Sequence, residues 1–295
     1  MKFLAVLSNN VNLKKEGQRL VLETPTNKVK VLLRNVYGIL IFGRTSLSSE
    51  AVNLLLREEK PVFFLTKFGK LKGVLLPEFI ASNNNNRLEQ YFLYTERRVE
   101  TATFFVQRKL EEIERTFGVD LTVEKSALEN VKTIEELLGV EGTASKKMFD
   151  AVKELLKNGP LPFGGRSYRP PADETNALLS LTYTMVYLTA YPVVVAMGYD
   201  PYLSFLHTKR GAHAAFCSDL MEPVRPYITQ RLVLEIKRGL FSKRDFQSEG
   251  NKGFYLTNEA LDKFLNFYER ELPSVLDMLR ETLSEFSTLH LPFAL

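Results

Sequence analysis

Residues 206–226, LHTKRGAHAAFCSDLMEPVRP, bring two of the chain's three histidines, two acids and several basic side chains into one short stretch. Asp219 and Glu222 are three apart, so a helix over residues 216–221 would put both carboxylates on one face. Carboxylates sharing a site push one pKa upward unless a cation separates them, and a metal ion or Arg225 can fill that role. His207 adds a nitrogen donor from the turn before. Pro223 and Pro226 argue against a shared face, because each removes an N–H and disfavours helix at the residue before it. The plainer alternative is a solvated acidic helix face with a histidine satisfied by a neighbour.

A fourth residue weighs against that alternative. Thr133-Ile134-Glu135-Glu136 reads as a capping box, which predicts a short helix ended by Gly139 and a second helix directly after it. Counting by three and four from Glu141 reaches Ala144, Met148, Val152 and Leu155, an apolar stripe. Glu141 is therefore an acid on an inward face. Burying an ionised carboxylate alone costs several kcal/mol, so it caps the helix N-terminus, pairs with a base or binds a metal. Glu141, His207 and the later acids make a donor set that a hard divalent cation accepts. Oxygen-rich coordination with one imidazole suits Mg2+ or Mn2+ better than structural zinc. With basic residues nearby, such a centre fits phosphoryl transfer.

The elements that must position these groups fall into two parts. Residues 1–82 read as a β-rich domain, with apolar or alternating runs at 2–7, 19–23, 28–33, 36–42 and 62–66, and one capped helix after Ser48. Gly69 and Gly73 bracket a further hairpin. This part has no histidine, which suits a structural or dimerising module. The run Asn83–Asn86 marks a composition shift, and residues 83–295 read as a larger all-α domain. One long amphipathic helix is expected over 87–117, with Leu88, Tyr91, Phe92, Val99, Val106 and Leu110 inward and Gly118 as its stop. Its arginines read as a solvated face. A helix over 227–238 stops at Gly239, and two more, 258–272 and 274–289, are separated by Pro273.

The 295 residues carry 45% hydrophobic side chains and a formal net charge of +4, enough for two cores without staples. Lys and Arg nevertheless cluster, for example at Lys146-Lys147, Lys209-Arg210 and Lys237-Arg238, so local basic surface favours a polyanionic partner. Cys217 stands alone, which excludes an internal disulfide and a multi-cysteine zinc site, and the acids after it oppose a thiolate. Lacking a basic and apolar leader, the chain is expected in the cytoplasm. Residues 175–199 hold no charge over a membrane-spanning length, but their Asn, Ser and Thr content and Pro192 mark a buried core helix, with Asp173 as its cap.

In the order and spacing of its motifs, the chain resembles the CRISPR-associated endonuclease and integrase family of spacer acquisition. The resemblance runs nearly end to end and is carried by Glu141-Gly142 with Phe149, Arg169-Pro170-Pro171 with Asp173, Asn176-Ala177-Leu178-Leu179-Ser180 with Tyr183, Leu206-His207, Asp219-Leu220-Met221-Glu222-Pro223 with Arg225-Pro226, and Asp245-Phe246. Met148 stands where the family usually has Tyr, and Gln230 where it often has an acid. The resemblance implies an α+β protein, a small β-rich N-terminal domain followed by a larger all-α catalytic domain, acting as a homodimer. It implies Glu141, His207 and Glu222 as metal ligands and Asp219 as a further acid needed for activity, in the metal shell or behind it. The implied chemistry is Mg2+- or Mn2+-dependent DNA cleavage, and attack by a DNA 3′-hydroxyl that inserts short fragments into a repeat array. A small ferredoxin-like CRISPR-associated protein is the implied partner. Lys146, Lys209, Arg210 and Arg225 are the candidate DNA contacts. His213 reads as a solvated or DNA-facing loop residue, and His290 as structural. A non-catalytic nucleic-acid scaffold and a metallohydrolase of small phosphoesters remain as alternatives.

Overall fold

The computed structural model describes residues 2–8, 10–66, 71–77, 85–161, 163–167, 170–208, 213–248 and 253–289. The chain divides into two compact units, Met1–Ile80 with Leu261–Pro273, and Ala81–Ala260 with Ser274–Leu295.

The first unit has two four-stranded sheets. Its strands are β1 (Lys2–Val6), β2 (Val11–Glu16), β3 (Arg19–Glu23), β4 (Lys28–Leu32), β5 (Val36–Ile41) and β6 (Thr45–Leu47), followed by helix α1 (Ser49–Arg57), β7 (Val62–Leu65) and β8 (Leu71–Leu75). One sheet runs β1-β5-β7-β8 and the other β4-β3-β2-β6. Gly17, at φ 60°, makes the two-residue turn between β2 and β3, a backbone that costs glycine little. Leu13, Leu20, Ile39 and Val62 of the strands pack with Ala51, Leu54 and Leu55 of α1. β2 and β6 were not anticipated, since VNLKKE and TSL offer too few apolar positions to mark a strand. The Gly69 end of the expected hairpin lies outside the described residues, while Gly73 sits in β8 paired with Phe64.

The second unit contains α2 (Asn85–Glu96), α3 (Arg98–Phe117), α4 (Thr122–Leu128), α5 (Ile134–Leu156), α6 (Glu174–Ala196), α7 (Ala215–Leu220) and α8 (Val224–Lys237). A short ribbon, β9 (Phe246–Ser248) with antiparallel β10 (Phe254–Leu256), accompanies them; helix α9 (Asn258–Thr288) is divided, its Leu261–Pro273 stretch belonging to the first unit and the rest to the second. The single helix expected over 87–117 is two. The chain breaks at Arg97, φ −137° and ψ 32°, where Arg97 donates to the Leu289 carbonyl and Arg98 to the Phe205 carbonyl. Leu88, Tyr91 and Phe92 of α2 are exposed. Gln90 faces inward instead, donating to the carbonyls of Asp200 and Leu203 and accepting from the Asp200 N–H.

Elsewhere, expected breaks are absent. α5 runs unbroken through Gly139 from the Thr133/Glu136 capping box, because Gly139 does not take the left-handed backbone that ends a helix. Pro192 lies inside α6 and Pro273 inside α9. Gly118 and Gly239, at φ 65° and 80°, do end α3 and α8. α6 is long and apolar enough to cross a membrane, yet 67% of its apolar window is buried inside the protein, as a core helix would be.

Phe205, which precedes Leu206 and His207, is fully buried in an aromatic cluster. Phe286 of α9 centres it, with ring centroids 5.3–5.6 Å from Tyr199, Phe216, Phe205 and Phe105. This packing fixes the backbone that carries His207. Phe286→Ala should therefore lower stability by about 3–5 kcal/mol, read as a shift of the urea midpoint by circular dichroism. A change below 1 kcal/mol would mean that the cluster does not hold this backbone.

Candidate active site

A cleft of about 630 Å3 opens among α3, α5, α6, α8 and the 163–167 segment. Its floor is a cluster of charges. Glu222 sits in the turn between α7 and α8, 1% exposed. Its Oε2 accepts from Lys109 Nζ at 2.6 Å, and its Oε1 pairs with Arg225 Nη1 at 3.1 Å. Lys109, 2% exposed on α3, also donates to Glu141 Oε1 on α5, which accepts from Ser145 Oγ at 2.7 Å as well. His207 Nε2 lies 3.5 Å from Glu222 Oε1.

Asp219 stands behind His207. Its Oδ1 accepts from His207 Nδ1 at 2.8 Å and from the His207 amide at 3.0 Å, while Oδ2 accepts from the amides of Phe205 and Leu206 at 2.7 and 3.1 Å. Asp219 and Glu222 thus do not share a helix face. α7 ends at Leu220 ahead of Pro223, and the two acids address opposite nitrogens of one imidazole. The His207 imidazole lies between them, and Arg225 pairs with Glu222. With Nδ1 donating to Asp219, Nε2 is the nitrogen that faces Glu222, a donor while the ring is charged and a lone pair for a metal once it is neutral.

Burial alone would raise the Glu222 pKa, but Arg225, Lys109 and His207 outweigh it and pull it from 4.5 to about 2. Burial likewise opposes a charged His207 and a charged Lys109. The carboxylates beside them win, so both pKa values are raised. Burial raises the Cys217 thiol, which leaves it a fully buried packing residue.

Among the described residues no three His, Cys, Asp or Glu side chains already stand as a metal cage, because the Lys109 ammonium occupies the point where Glu141 and Glu222 meet. The donors nevertheless fit a hard divalent ion: two carboxylates converge on one cationic position, and an imidazole with its far nitrogen fixed by a carboxylate borders it. The capping alternative for Glu141 falls, since α5 begins at Ile134 and Glu141 lies two turns inside. Ala144, Met148 and Val152 of its stripe are buried, and Leu156 replaces the exposed Leu155.

Of the candidate DNA contacts, Lys146 and Arg225 line the cleft, and Lys209 and Arg210 lie outside the described residues. His213 is exposed in the loop ahead of α7, in line with the solvated-loop reading, and there its ring stacks on Tyr187 at 4.9 Å and its Nε2 shares a hydrogen bond with Ser218 Oγ. His290 is outside the described residues. Gln230 donates to the Thr116 carbonyl, a structural role.

Sequence reasoning missed Lys109 and Arg166. Lys109 falls three after Val106 and four before Ile113, both fully buried, so a lysine on that stripe was the available signal. Arg166 lies over the Tyr183 ring at 5.6 Å, with Arg225 over the same ring at 5.2 Å. Asn176 holds the Arg166 segment, accepting from Arg166 Nη1 and the Ser167 amide and donating to the Gly165 carbonyl. Ser180 accepts from Arg166 Nη2 at 3.2 Å. Asn176, Ser180 and Tyr183 line one side of α6 at i, i+4 and i+7, which accounts for that motif. The Pro170-Pro171 pair is packed by Gly253 so closely that a Cβ there would meet the Pro171 carbonyl at 2.6 Å.

Two sheets in one unit and a helical unit with a charged cleft match a known class. The family model described as CRISPR associated protein Cas1 covers residues 4–270. The chain belongs to that family. It is 28% identical, over 91% of its length, to a CRISPR-associated exonuclease Cas4/endonuclease Cas1 fusion of Leptospira interrogans, and spans about half, 54%, of that relative. Its fold is that of a Cas1 protein from Thermotoga maritima, with TM-score 0.86, 22% identity, and 98% and 96% of the two chains covered. A casposase bound to integration product is also similar, with TM-score 0.79, 22% identity and 92% and 82% covered.

The Glu222 value sets the sign of a pH dependence in metal-free protein. Held below its ordinary 4.5, ionised Glu222 stabilises the fold above that pH, and the contribution is lost as pH falls towards about 2. At about 1.4 kcal/mol per pH unit this is roughly 3 kcal/mol. Raised His207 acts oppositely, its contribution present below its ordinary 6.5 and lost as pH rises through its folded value. Urea midpoints of wild type and Glu222→Gln in EDTA should differ most at neutral pH and converge below pH 4.5. A gap constant down to pH 2 would contradict the assignment.

Proposed function

We propose that this chain is a divalent-metal-dependent DNA endonuclease and integrase that inserts short DNA fragments into a CRISPR repeat array. The observation that carries this reading is the convergence of Glu141 and Glu222 on one cationic position beside His207 Nε2, at the floor of a cleft walled by two guanidinium groups. Family membership supports it, as do the endonuclease name of the Leptospira relative and the integration product held by the casposase.

In this reading Glu141, Glu222 and His207 Nε2 hold Mg2+ or Mn2+. When bound, the ion polarises a phosphodiester oxygen and activates a water or a DNA 3′-hydroxyl. Asp219 orients His207 by accepting its Nδ1–H and the three backbone amides that carry it. Arg166 and Arg225, braced on Tyr183, offset charge on the phosphate in the cleft, and Lys146 contacts the backbone at its rim. Lys209 and Arg210 extend the same basic path. A homodimer built through the β-rich domain, residues 1–82, with the helical domain, residues 83–295, as the catalytic part, completes the proposal. A small ferredoxin-like CRISPR-associated protein is the proposed partner, in the cytoplasm.

The test is cleavage and strand transfer on a branched, repeat-containing DNA with Mn2+ or EDTA. Glu141→Ala and Glu222→Ala should abolish both reactions, and Asp219→Asn should lower them about 10–100-fold. DNA affinity and its salt dependence should change little, because the basic contacts remain. Activity indifferent to Glu141 or to EDTA would favour a scaffold that binds DNA without a metal centre. Turnover of a chromogenic phosphodiester without salt-sensitive DNA binding would favour a small-phosphoester hydrolase.

A further inference from the structure

We propose that Lys109 is a resident cation of the active site, which holds Glu141 and Glu222 together until a divalent ion displaces its ammonium, and so sets how tightly the site takes that ion. The inference rests on the metal reading above.

Lys109 lies on the apolar stripe of α3, beside Val106, Phe105, Leu110 and Ile113, all fully buried. A charged side chain there is costly unless it is paired and hydrogen-bonded. Lys109 is paired twice, to Glu141 Oε1 and Glu222 Oε2, one from each of two different elements. An ammonium is a compact point charge, and here it bridges the two carboxylates that a metal would need.

Three of the four oxygens of Glu141 and Glu222 are already engaged. Glu222 Oε1 is engaged by Arg225 Nη1 at 3.1 Å and bordered by His207 Nε2 at 3.5 Å. Glu141 Oε1 is shared by Lys109 and Ser145. A cation that binds Glu141 Oε1 and Glu222 Oε2 together must take the space of Lys109 Nζ, since two cations at that separation repel. Its affinity is therefore the intrinsic affinity of the donors reduced by the cost of breaking the lysine's two ion pairs. Lys109 also has somewhere to go, because it lines the cleft.

This arrangement has two consequences. Without metal, the carboxylates are compensated and the helices α3 and α5 stay joined at the cleft floor. With metal, the same carboxylates change partner while the ammonium is released into the cleft. Lys109 is thus a positioning residue with a direct effect on ion binding.

The experiment is a Mn2+ titration of the full chain, with free Mn2+ read by electron paramagnetic resonance, for wild type, Lys109→Met and His207→Ala. Lys109→Met should bind at least tenfold more tightly than wild type. It should also melt at lower temperature in EDTA and gain more from added Mn2+. A dissociation constant equal to or weaker than that of wild type would overturn the proposal while leaving the metal site standing. Absence of Mn2+ binding in both wild type and Lys109→Met would overturn the metal reading itself, and wild-type binding in His207→Ala would remove that residue from it. A second measurement needs no variant: acetic anhydride labelling of wild type, read by mass spectrometry, should modify Lys109 faster in Mn2+ than in EDTA. Equal protection in both would show that the ammonium is not displaced.

Discussion

A carboxylate at 1% exposure, Glu222, is the constraint around which the helical unit is arranged. Taking an ionised group out of water costs several kcal/mol after relaxation, so its oxygens require cations from whatever elements can reach them. Three do: Lys109 from α3, Arg225 from α8 and His207 from the segment after α6. Each partner brings a second commitment. Lys109 ties in Glu141, Arg225 lies on Tyr183, and His207 is clamped from behind by Asp219. One buried charge thereby draws α3, α5, α6 and α8 towards a common floor.

The rest of the packing serves that geometry. Asp219 accepts from three successive backbone amides, and such a turn holds its shape only if the side chains beneath it are fixed. Phe205, Phe216, Tyr199 and Phe286 supply that support through ring contacts within 6 Å. On the opposite wall, Asn176 binds the Gly165–Ser167 backbone and turns Arg166 over Tyr183. Offset of buried charge and rigidity of the surrounding core are therefore coupled: aromatic packing holds the backbone, and the backbone holds the imidazole.

Much of this was legible in the sequence, and the failures have physical causes. Glu141 announced itself as an acid on the stripe of Ala144, Met148 and Val152, a conflict with burial that demands a partner. Its partner did not, because pairing between α3 and α5 is a tertiary fact and periodicity describes one helix at a time. The geometry of Asp219 and Glu222 was misjudged because spacing by three implies one face only if the helix continues; it stops at Leu220. Gly139 and Pro273 were overvalued as helix breakers: both are exposed, and burial of Leu137 beside one and of Leu272 and Val275 beside the other offsets a propensity penalty of about 1–3 kcal/mol. Arg166 left no periodic signal, lying in an irregular segment held by side-chain hydrogen bonds from α6. The order of motifs from Glu141 to Asp245, by contrast, pointed to the family that the chain proves to join.

The central claim is that Glu141, His207 and Glu222 converge on one divalent ion. The most direct measurement is anomalous diffraction at the manganese edge from crystals grown with Mn2+. The account predicts a single anomalous peak about 2.1 Å from carboxylate oxygens of Glu141 and Glu222 and bounded by Nε2 of His207. A cleft floor without a peak, Lys109 still bridging the two glutamates at saturating Mn2+, would contradict it.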